Sequence, residues 1–326
     1  MKRAVSFAMI VLAVVGLTLI GVSKERLVLL VCNMAHPFFV EMVEGAQAAA
    51  KAWGVTLDVF DGRDDPALQL SQIEDAIVVG YDAILLNPVA MEPLVPGVVK
   101  ANEAGVPVFT LDRDVIGGVR ICYIGTDNIK AAEDGARALL AKLAEVGRPK
   151  PWRIVHLWGT PGASSAIERY IGVHNVLAPL VPAGEVIFVA NLTAYFDRAR
   201  GMMVMEDILA VTTDIDAVIV GNDEMGLGAL EALKAAGLKV GAPDGILIMG
   251  FDAIPEAVEA VKRGEFIGTV AQAPYIMGYW GVEAAIAHLR EKWLPPAGTP
   301  IYKPTGALHL DTGGYIVTLQ TVEEIV

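Results

Sequence analysis

The feature that most constrains how this chain can fold is an alternation of short apolar runs with longer amphipathic segments. The run Leu27–Val31 is followed by Phe38–Trp53, whose apolar residues recur with the period of a helix. After a polar break at residues 147–151, the same alternation starts again at Arg153 and continues to Leu289. Because parallel strands need crossover connections, this order predicts an α/β fold with two similar doubly wound, parallel-sheet, Rossmann-like domains.

The residues that follow the predicted strands are the candidates for a binding site. Open α/β sheets bind ligands at the carboxyl ends of their strands, so two such units place a cleft between them at that edge. Carboxylates, amides and arginines stand at these positions together with a histidine and several aromatic rings. The candidates are His36, Phe38, Phe39, Asn87, Asp112, Arg113, Arg169, Tyr195, Phe196, Asn222, Asp252 and Gln272.

This combination of side chains suits a carbohydrate. Carboxylates and amides accept hydrogen bonds from sugar hydroxyls, arginines donate to sugar oxygens, and aromatic rings stack on apolar C–H faces. Each candidate also has a purely structural interpretation. Asn222 can cap the helix that follows it, and Asp112 and Arg113 can form a surface ion pair. Phe38 and Phe39 can belong to the core, so the prediction depends on the coincidence of all these side chains at strand ends.

Other functions fit the sequence less well. The formal net charge of −13 disfavours nucleic acid and anionic membrane surfaces as partners. The stretch GTPGASSA at residues 159–166 lacks the lysine of a phosphate-binding loop, and the five histidines show no metal-ligand spacing. Asp112 and Asp252 are a candidate glycosidase pair, but Arg113 should lower the pKa of Asp112 and oppose its use as the acid. We therefore expect no enzyme activity, no cofactor and no metal.

The first 23 residues differ from the rest of the chain. Lys2 and Arg3 precede an apolar stretch at residues 4–22, which is the order found in a secretory signal. The stretch is also just long enough to span a bilayer. Residues 1–23 are therefore predicted to be either a cleaved signal peptide or a retained N-terminal anchor of an exported protein. Cys32 and Cys122 each lie in an apolar run, and we expect them to be buried free thiols.

Longer motifs indicate a family. The motifs are HPFFVEMVEGAQAAA, ILLNP, PVFTLDRD, AIERYIG, YFDRARGMMVM, GNDEMGLGALEAL, IMGFD and GTVAQ. With them the chain resembles, from about Val28 to about Leu310, the periplasmic sugar-binding proteins of ABC importers. Within these it is most similar to the ribose-binding cluster, which has the type I periplasmic binding protein fold.

The resemblance implies a fold and a set of contacts. Two lobes would be joined by a three-segment hinge and would close on a pyranose. Phe38 and Phe196 would stack on the sugar, Phe39 would line the wall, and the polar candidates would form hydrogen bonds. The lobes would comprise residues 24–126 plus 273–304 and residues 127–272 plus 305–326, with the ligand cleft between them.

The resemblance also implies a ligand and partners. The ligand would be a pentose or hexose pyranose, delivered by a monomeric periplasmic protein to an ABC permease; a chemotaxis receptor is a further partner to test. His36 stands where ribose binders usually have Asn, and Tyr195 replaces a smaller polar residue. These departures leave a sugar alcohol, inositol or an autoinducer furanose as the alternative ligand. Sugar-repressor regulators share this core, but residues 1–26 do not encode the helix-turn-helix that such a regulator needs.

Overall fold

The computed structural model describes residues 24–322. The signal peptide or anchor predicted at residues 1–23 lies outside the described residues. Within residues 24–322, none of the helices is both long enough and apolar enough to cross a membrane. The strands are β1 (Arg26–Val31), β2 (Thr56–Asp61), β3 (Ala83–Leu86), β4 (Val108–Leu111), β5 (Tyr123–Gly125), β6 (Trp152–Trp158), β7 (Val186–Thr193), β8 (Ala217–Val220), β9 (Leu247–Asp252), β10 (Gly268–Ala271), β11 (Ile301–Tyr302), β12 (Ala307–Asp311) and β13 (Tyr315–Thr318).

Helices alternate with these strands. They are α1 (Pro37–Trp53), α2 (Pro66–Val79), α3 (Val95–Glu103), α4 (Asn128–Glu145), α5 (Ser164–Leu177), α6 (Arg198–Val211), α7 (Asp223–Ala235), α8 (Pro255–Lys262) and α9 (Pro274–Glu291), and a short 3₁₀ turn at Ala178–Leu180 follows α5. α1 begins with a proline, whose missing N–H is not needed in the first turn, and ends at Gly54, which adopts a φ of 71°. Asn222 caps α7 by accepting a hydrogen bond from the backbone N–H of Met225.

The strands form two mostly parallel sheets. The first has the order β11-β12-β5-β4-β3-β1-β2, and the second has the order β13-β10-β9-β8-β6-β7. Among the described strands, the antiparallel pairs are β11 with β12 and β10 with β13. We call the first sheet with α1, α2, α3 and α9 the first lobe, and the second sheet with α4 to α8 the second lobe.

The chain passes between the lobes at three points. It crosses after β5 at residues 126–127, after β10 at residues 272–273, and after β12 at residues 312–314. The sequence placed the third crossing near Thr305. In the structure β12 pairs with β5, so residues 307–311 belong to the first lobe instead. A short apolar strand can complete either sheet, and its pairing partner is decided only by the assembled lobes.

Both sheets are covered by helices on their two faces, and each lobe has its own apolar core. In the first lobe α1 and α9 approach closely because a glycine lies at their contact. A Cβ atom added to Gly278 would lie 1.9 Å from the backbone oxygen of Met42. Cys32 and Cys122 are fully buried free thiols, as the sequence predicts.

Candidate ligand-binding site

A cavity lies between the two lobes. It is formed at the carboxyl ends of the strands, by the loops that lead into α1, α5, α6 and α7 and by the segments that follow β4 and β9. Its walls combine aromatic rings with charged and amide side chains. The lining residues are His36, Phe38, Phe39, Asp112, Arg113, Ser165, Arg169, Phe196, Asn222 and Asp252.

The first lobe contributes an aromatic wall from the start of α1. His36 is the N-cap residue, and its side chain makes no capping hydrogen bond, so the ring is free to face the cavity. The ring of His36 meets that of Phe39 edge to face at a centroid distance of 5.9 Å. Phe38 and Phe39 pack at 5.3 Å with their planes at 87°. Both phenylalanines are almost fully buried, so they form part of the core and of the cavity wall at once.

The second lobe contributes Phe196, which lies directly before α6. Phe196 and Tyr195 both have left-handed backbone conformations, with φ values of 60° and 58°. This double turn brings the Phe196 ring inward, against the backbone of Gly159. A Cβ atom on Gly159 would lie 2.1 Å from a carbon of that ring, so only glycine fits there.

Asp112 and Arg113 follow β4 and lie inside the cavity. Asp112 has a φ of 60°, and its carboxylate accepts a hydrogen bond of 3.3 Å from Asn87 and lies 3.7 Å from Nε of Arg113. The Arg113 guanidinium lies 5.3 Å from the ring centre of Phe39 and 5.4 Å from that of Phe196. Arg113 is therefore held between aromatic rings of the two lobes, where desolvation strengthens a cation–π contact.

Arg169 and Asp252 form the charged wall of the second lobe. Nη1 of Arg169 donates to Oδ1 of Asp252 at 3.1 Å and to the backbone oxygen of Gly221 at 2.7 Å. Its guanidinium also lies 3.9 Å from the ring centre of Phe251. Gln272, at the second crossing, donates to the same carboxylate oxygen at 2.7 Å. Arg169 is thus fixed before any ligand arrives, and binding needs little further ordering of it.

Burial shifts the pKa values of the titratable side chains in the cavity wall. It raises the pKa of Asp252 to about 6, although the positive charge of Arg169 opposes the shift. Burial also raises the pKa of Asp112, against the influence of Arg113 and Arg169. Arg113 lowers this pKa, as the sequence predicts, but desolvation outweighs the neighbouring cation and the net shift is upward. Burial and the charge of Arg113 lower the pKa of His36, so its ring is neutral and can both donate and accept.

Two buried polar atoms of cavity-lining residues have no hydrogen-bond partner within residues 24–322. They are Oδ1 of Asp112 and Nε of Arg113. Leaving such atoms without a partner costs about 1–3 kcal/mol each. A ligand with several hydroxyl groups would supply both donors and acceptors to them, so the site is chemically matched to a polyhydroxylated molecule.

The structure brings together most of the residues chosen from sequence. Asn87 and Gln272 lie behind the wall, where they hold Asp112 and Asp252. Tyr195 does not reach the cavity: its side chain is 42% exposed and contacts the guanidinium of Arg200. Sequence reasoning missed Ser165, the second residue of α5, although the turn GTPGASSA that contains it follows a strand.

Comparison with known proteins identifies the family. Residues 27–292 match the family described as periplasmic binding protein domain. The chain belongs to the periplasmic binding protein family. It is 35% identical over 285 residues to the ribose import binding protein RbsB of Haemophilus influenzae, covering 87% of this chain and 92% of that protein. It is 37% identical over 266 residues to RbsB of Bacillus subtilis, covering 81% and 82% of the two chains.

A solved structure of a binding protein has the same fold. The Caulobacter myo-inositol binding protein bound to myo-inositol superimposes with a TM-score of 0.80 at 29% identity, covering 92% of this chain and 95% of that one. The predicted class, two mostly parallel α/β sheets in a periplasmic binding protein fold, is confirmed. The relatives are binding proteins, and this family member is a binding protein rather than an enzyme.

Proposed function

We propose that this periplasmic binding protein captures a monosaccharide, a pentose or hexose in its pyranose form, and delivers it to an ABC permease. The observation that carries the proposal is the buried set of Arg113, Arg169, Asp112, Asp252 and Asn222 in a cavity that also contains three phenylalanine rings. Charged groups that bond to hydroxyls hold a sugar more strongly than neutral groups do. The rings provide apolar faces on which a sugar ring can stack.

The position of the cavity supports a small ligand held between the lobes. The lining residues come from both lobes and are nearly all buried, which is the arrangement expected of a closed cleft. We propose that the lobes, bounded by the three crossings, open and close by a hinge motion to admit the ligand.

The proposed setting follows from the family and the sequence. Membership of the periplasmic binding protein family supports an extracytoplasmic location. We propose that residues 1–23 direct export, that the protein acts as a monomer, and that its partner is the permease rather than nucleic acid. A chemotaxis receptor is a further partner to test. The ribose import relatives support delivery to an importer.

A cyclitol or sugar alcohol is the second candidate ligand. His36 favours it, because a neutral imidazole on the cavity wall can both donate and accept where ribose binders usually have Asn. The similarity to a protein solved with myo-inositol also favours it. An autoinducer furanose belongs to the same set of alternatives.

Calorimetry with the purified protein tests the proposal. Ribose, xylose, glucose, allose, myo-inositol and xylitol would be titrated separately, and at least one should bind at a 1:1 ratio. The variant Arg113→Ala should weaken that binding by about 30-fold or more, since losing a buried charged partner costs on the order of 2–5 kcal/mol. Arg137→Ala, on the exposed face of α4, is the matched control and should bind normally. Failure of every compound to bind would refute a sugar or polyol ligand.

A further inference from the structure

Outside the cavity, the backbone of the first lobe donates hydrogen bonds directly to the second lobe at the start of α5. The backbone N–H of Asp114 donates to Oγ of Ser164 at 3.0 Å, and the backbone N–H of Met91 donates to the backbone oxygen of Gly162 at 2.9 Å. Asp114 and Met91 belong to the first lobe, while Gly162 lies in the turn between β6 and α5 and Ser164 is the first residue of α5. Both bonds therefore depend on how the lobes sit against each other, and neither involves the space a ligand would occupy.

Ser164 is placed for this contact and not for ligand binding. It is the first residue of α5 and is only 1% exposed, yet it does not line the cavity. Its neighbour Ser165 lines the cavity instead. The two serines are consecutive on one helix, so one faces the opposite lobe and the other faces the ligand space.

Asp114 is a rigid partner for Ser164. Its carboxylate accepts hydrogen bonds from Nε and Nη2 of Arg120, both at 3.1 Å, and from Oγ1 of Thr110 at 2.7 Å. It also accepts a hydrogen bond from Oγ1 of Thr305, in the segment between β11 and β12. The carboxylate therefore fixes the backbone of Asp114, which is one residue from Arg113 in the cavity wall.

We propose that Ser164 is a positioning residue, which stabilises the closed arrangement of the lobes and so raises affinity without touching the ligand. This inference rests on the proposed function. When the lobes separate, water can bind both the Asp114 N–H and the Ser164 hydroxyl, so their mutual hydrogen bond contributes to the closed state alone. In the closed state Ser164→Ala leaves the buried N–H of Asp114 without its acceptor, which disfavours closure.

Ligand binding by two serine variants separates this role from a contact role. Ser164→Ala should lower the affinity for every ligand of the wild-type protein by the same factor, about fivefold to tenfold, mainly through faster dissociation. The order of preference among ligands should not change. Ser165→Ala removes a hydroxyl from the cavity and should change the order. Unaltered affinity in Ser164→Ala, or a changed ligand order in that variant, would overturn the inference.

A second measurement needs no ligand. Val78→Cys and Val211→Cys place spin labels on the two lobes at positions that are 86% and 87% exposed, while Cys32 and Cys122 are fully buried. Double electron–electron resonance of the unliganded protein then reports how many molecules have the label–label distance of the closed state and how many have that of the open state. The quantity compared is the ratio of the closed to the open population. Adding Ser164→Ala should lower that ratio about fivefold to tenfold. Equal distance distributions with and without Ser164→Ala would refute the positioning role, whereas a lowered ratio in a protein that binds no sugar would refute only the proposed function.

Discussion

Glu168 provides a stability test that does not require the ligand to be known. It lies in α5 next to Arg169, is 1% exposed, and accepts one hydrogen bond of 3.0 Å, at Oε2 from Nδ2 of Asn128. Its other oxygen, Oε1, has no partner among residues 24–322. Burial raises the pKa of Glu168 from 4.5 to about 7, although the Tyr302 hydroxyl, Asn128 and the charge of Arg169 favour the ionised form.

The sign of the effect follows from proton linkage. Between the unfolded pKa of 4.5 and the folded pKa of about 7, the folded protein binds more protons at Glu168 than the unfolded chain does. The contribution of Glu168 to stability is therefore complete below about pH 4.5 and is lost as pH rises through about 7. The difference between the folded and unfolded pKa values corresponds to roughly 3 kcal/mol in the free energy of unfolding. Glu168→Gln keeps the acceptor for Asn128 but cannot ionise, so its free energy of unfolding should not fall in this way as pH rises.

The assay is urea unfolding of the ligand-free protein at several values between about pH 5 and about pH 8. The free energy of unfolding of Glu168→Gln minus that of the wild type should rise by roughly 3 kcal/mol across this range. The matched control is Glu231→Gln, an exposed position on α7, whose difference from the wild type should stay flat. Parallel pH profiles of Glu168→Gln and the wild type would show that Glu168 does not carry a buried proton.

Two further substitutions test other parts of the structure. His156 is fully buried, both of its ring nitrogens lack partners within the described part of the chain, and burial lowers its pKa to about 3. The contribution of neutral His156 to the free energy of unfolding is therefore lost as pH falls below about 6.5. His156→Leu should abolish this pH dependence and raise the free energy of unfolding in urea by about 1–2 kcal/mol at neutral pH. A variant as acid-sensitive as the wild type would contradict this. Gly159→Ala should displace Phe196 and weaken ligand binding by about tenfold or more in calorimetry, and unchanged binding would show that this ring does not form the wall.

The sequence indicated which residues come together in the structure where strand ends decide their position. His36 and Phe38 follow a strand and open a helix, so the parallel sheet alone sends them to the cleft. Tyr195 and Phe196 show the limit of this reasoning. They are neighbours at one strand end, but consecutive left-handed residues turn one ring inward and the other toward solvent. Such a turn depends on the space beside Gly159, which only the folded lobe reveals.

The position of β12 could not be predicted for a related reason. Membership of such a short strand in a sheet depends on which sheet edge is free when the strand forms. The pairing of His309 with Tyr123 joins parts of the chain that are far apart in sequence. For Asp112 the sequence shows the adjacent Arg113, which lowers the pKa, but not the depth of burial, which raises it by more.

The three crossings also determine the order in which the molecule can be completed. β5 gains its outer neighbour only when β12 is available, and β10 gains its outer neighbour only when β13 is available. Neither lobe is a continuous stretch of chain, so a nascent or truncated polypeptide that ends before residue 307 would expose an unpaired edge in each sheet. Pairing of such distant segments is slow, and open edges invite association with other chains. Residues 301–318 thus supply the last strands of both sheets, and until they are in place β5 and β10 each keep an unpaired edge.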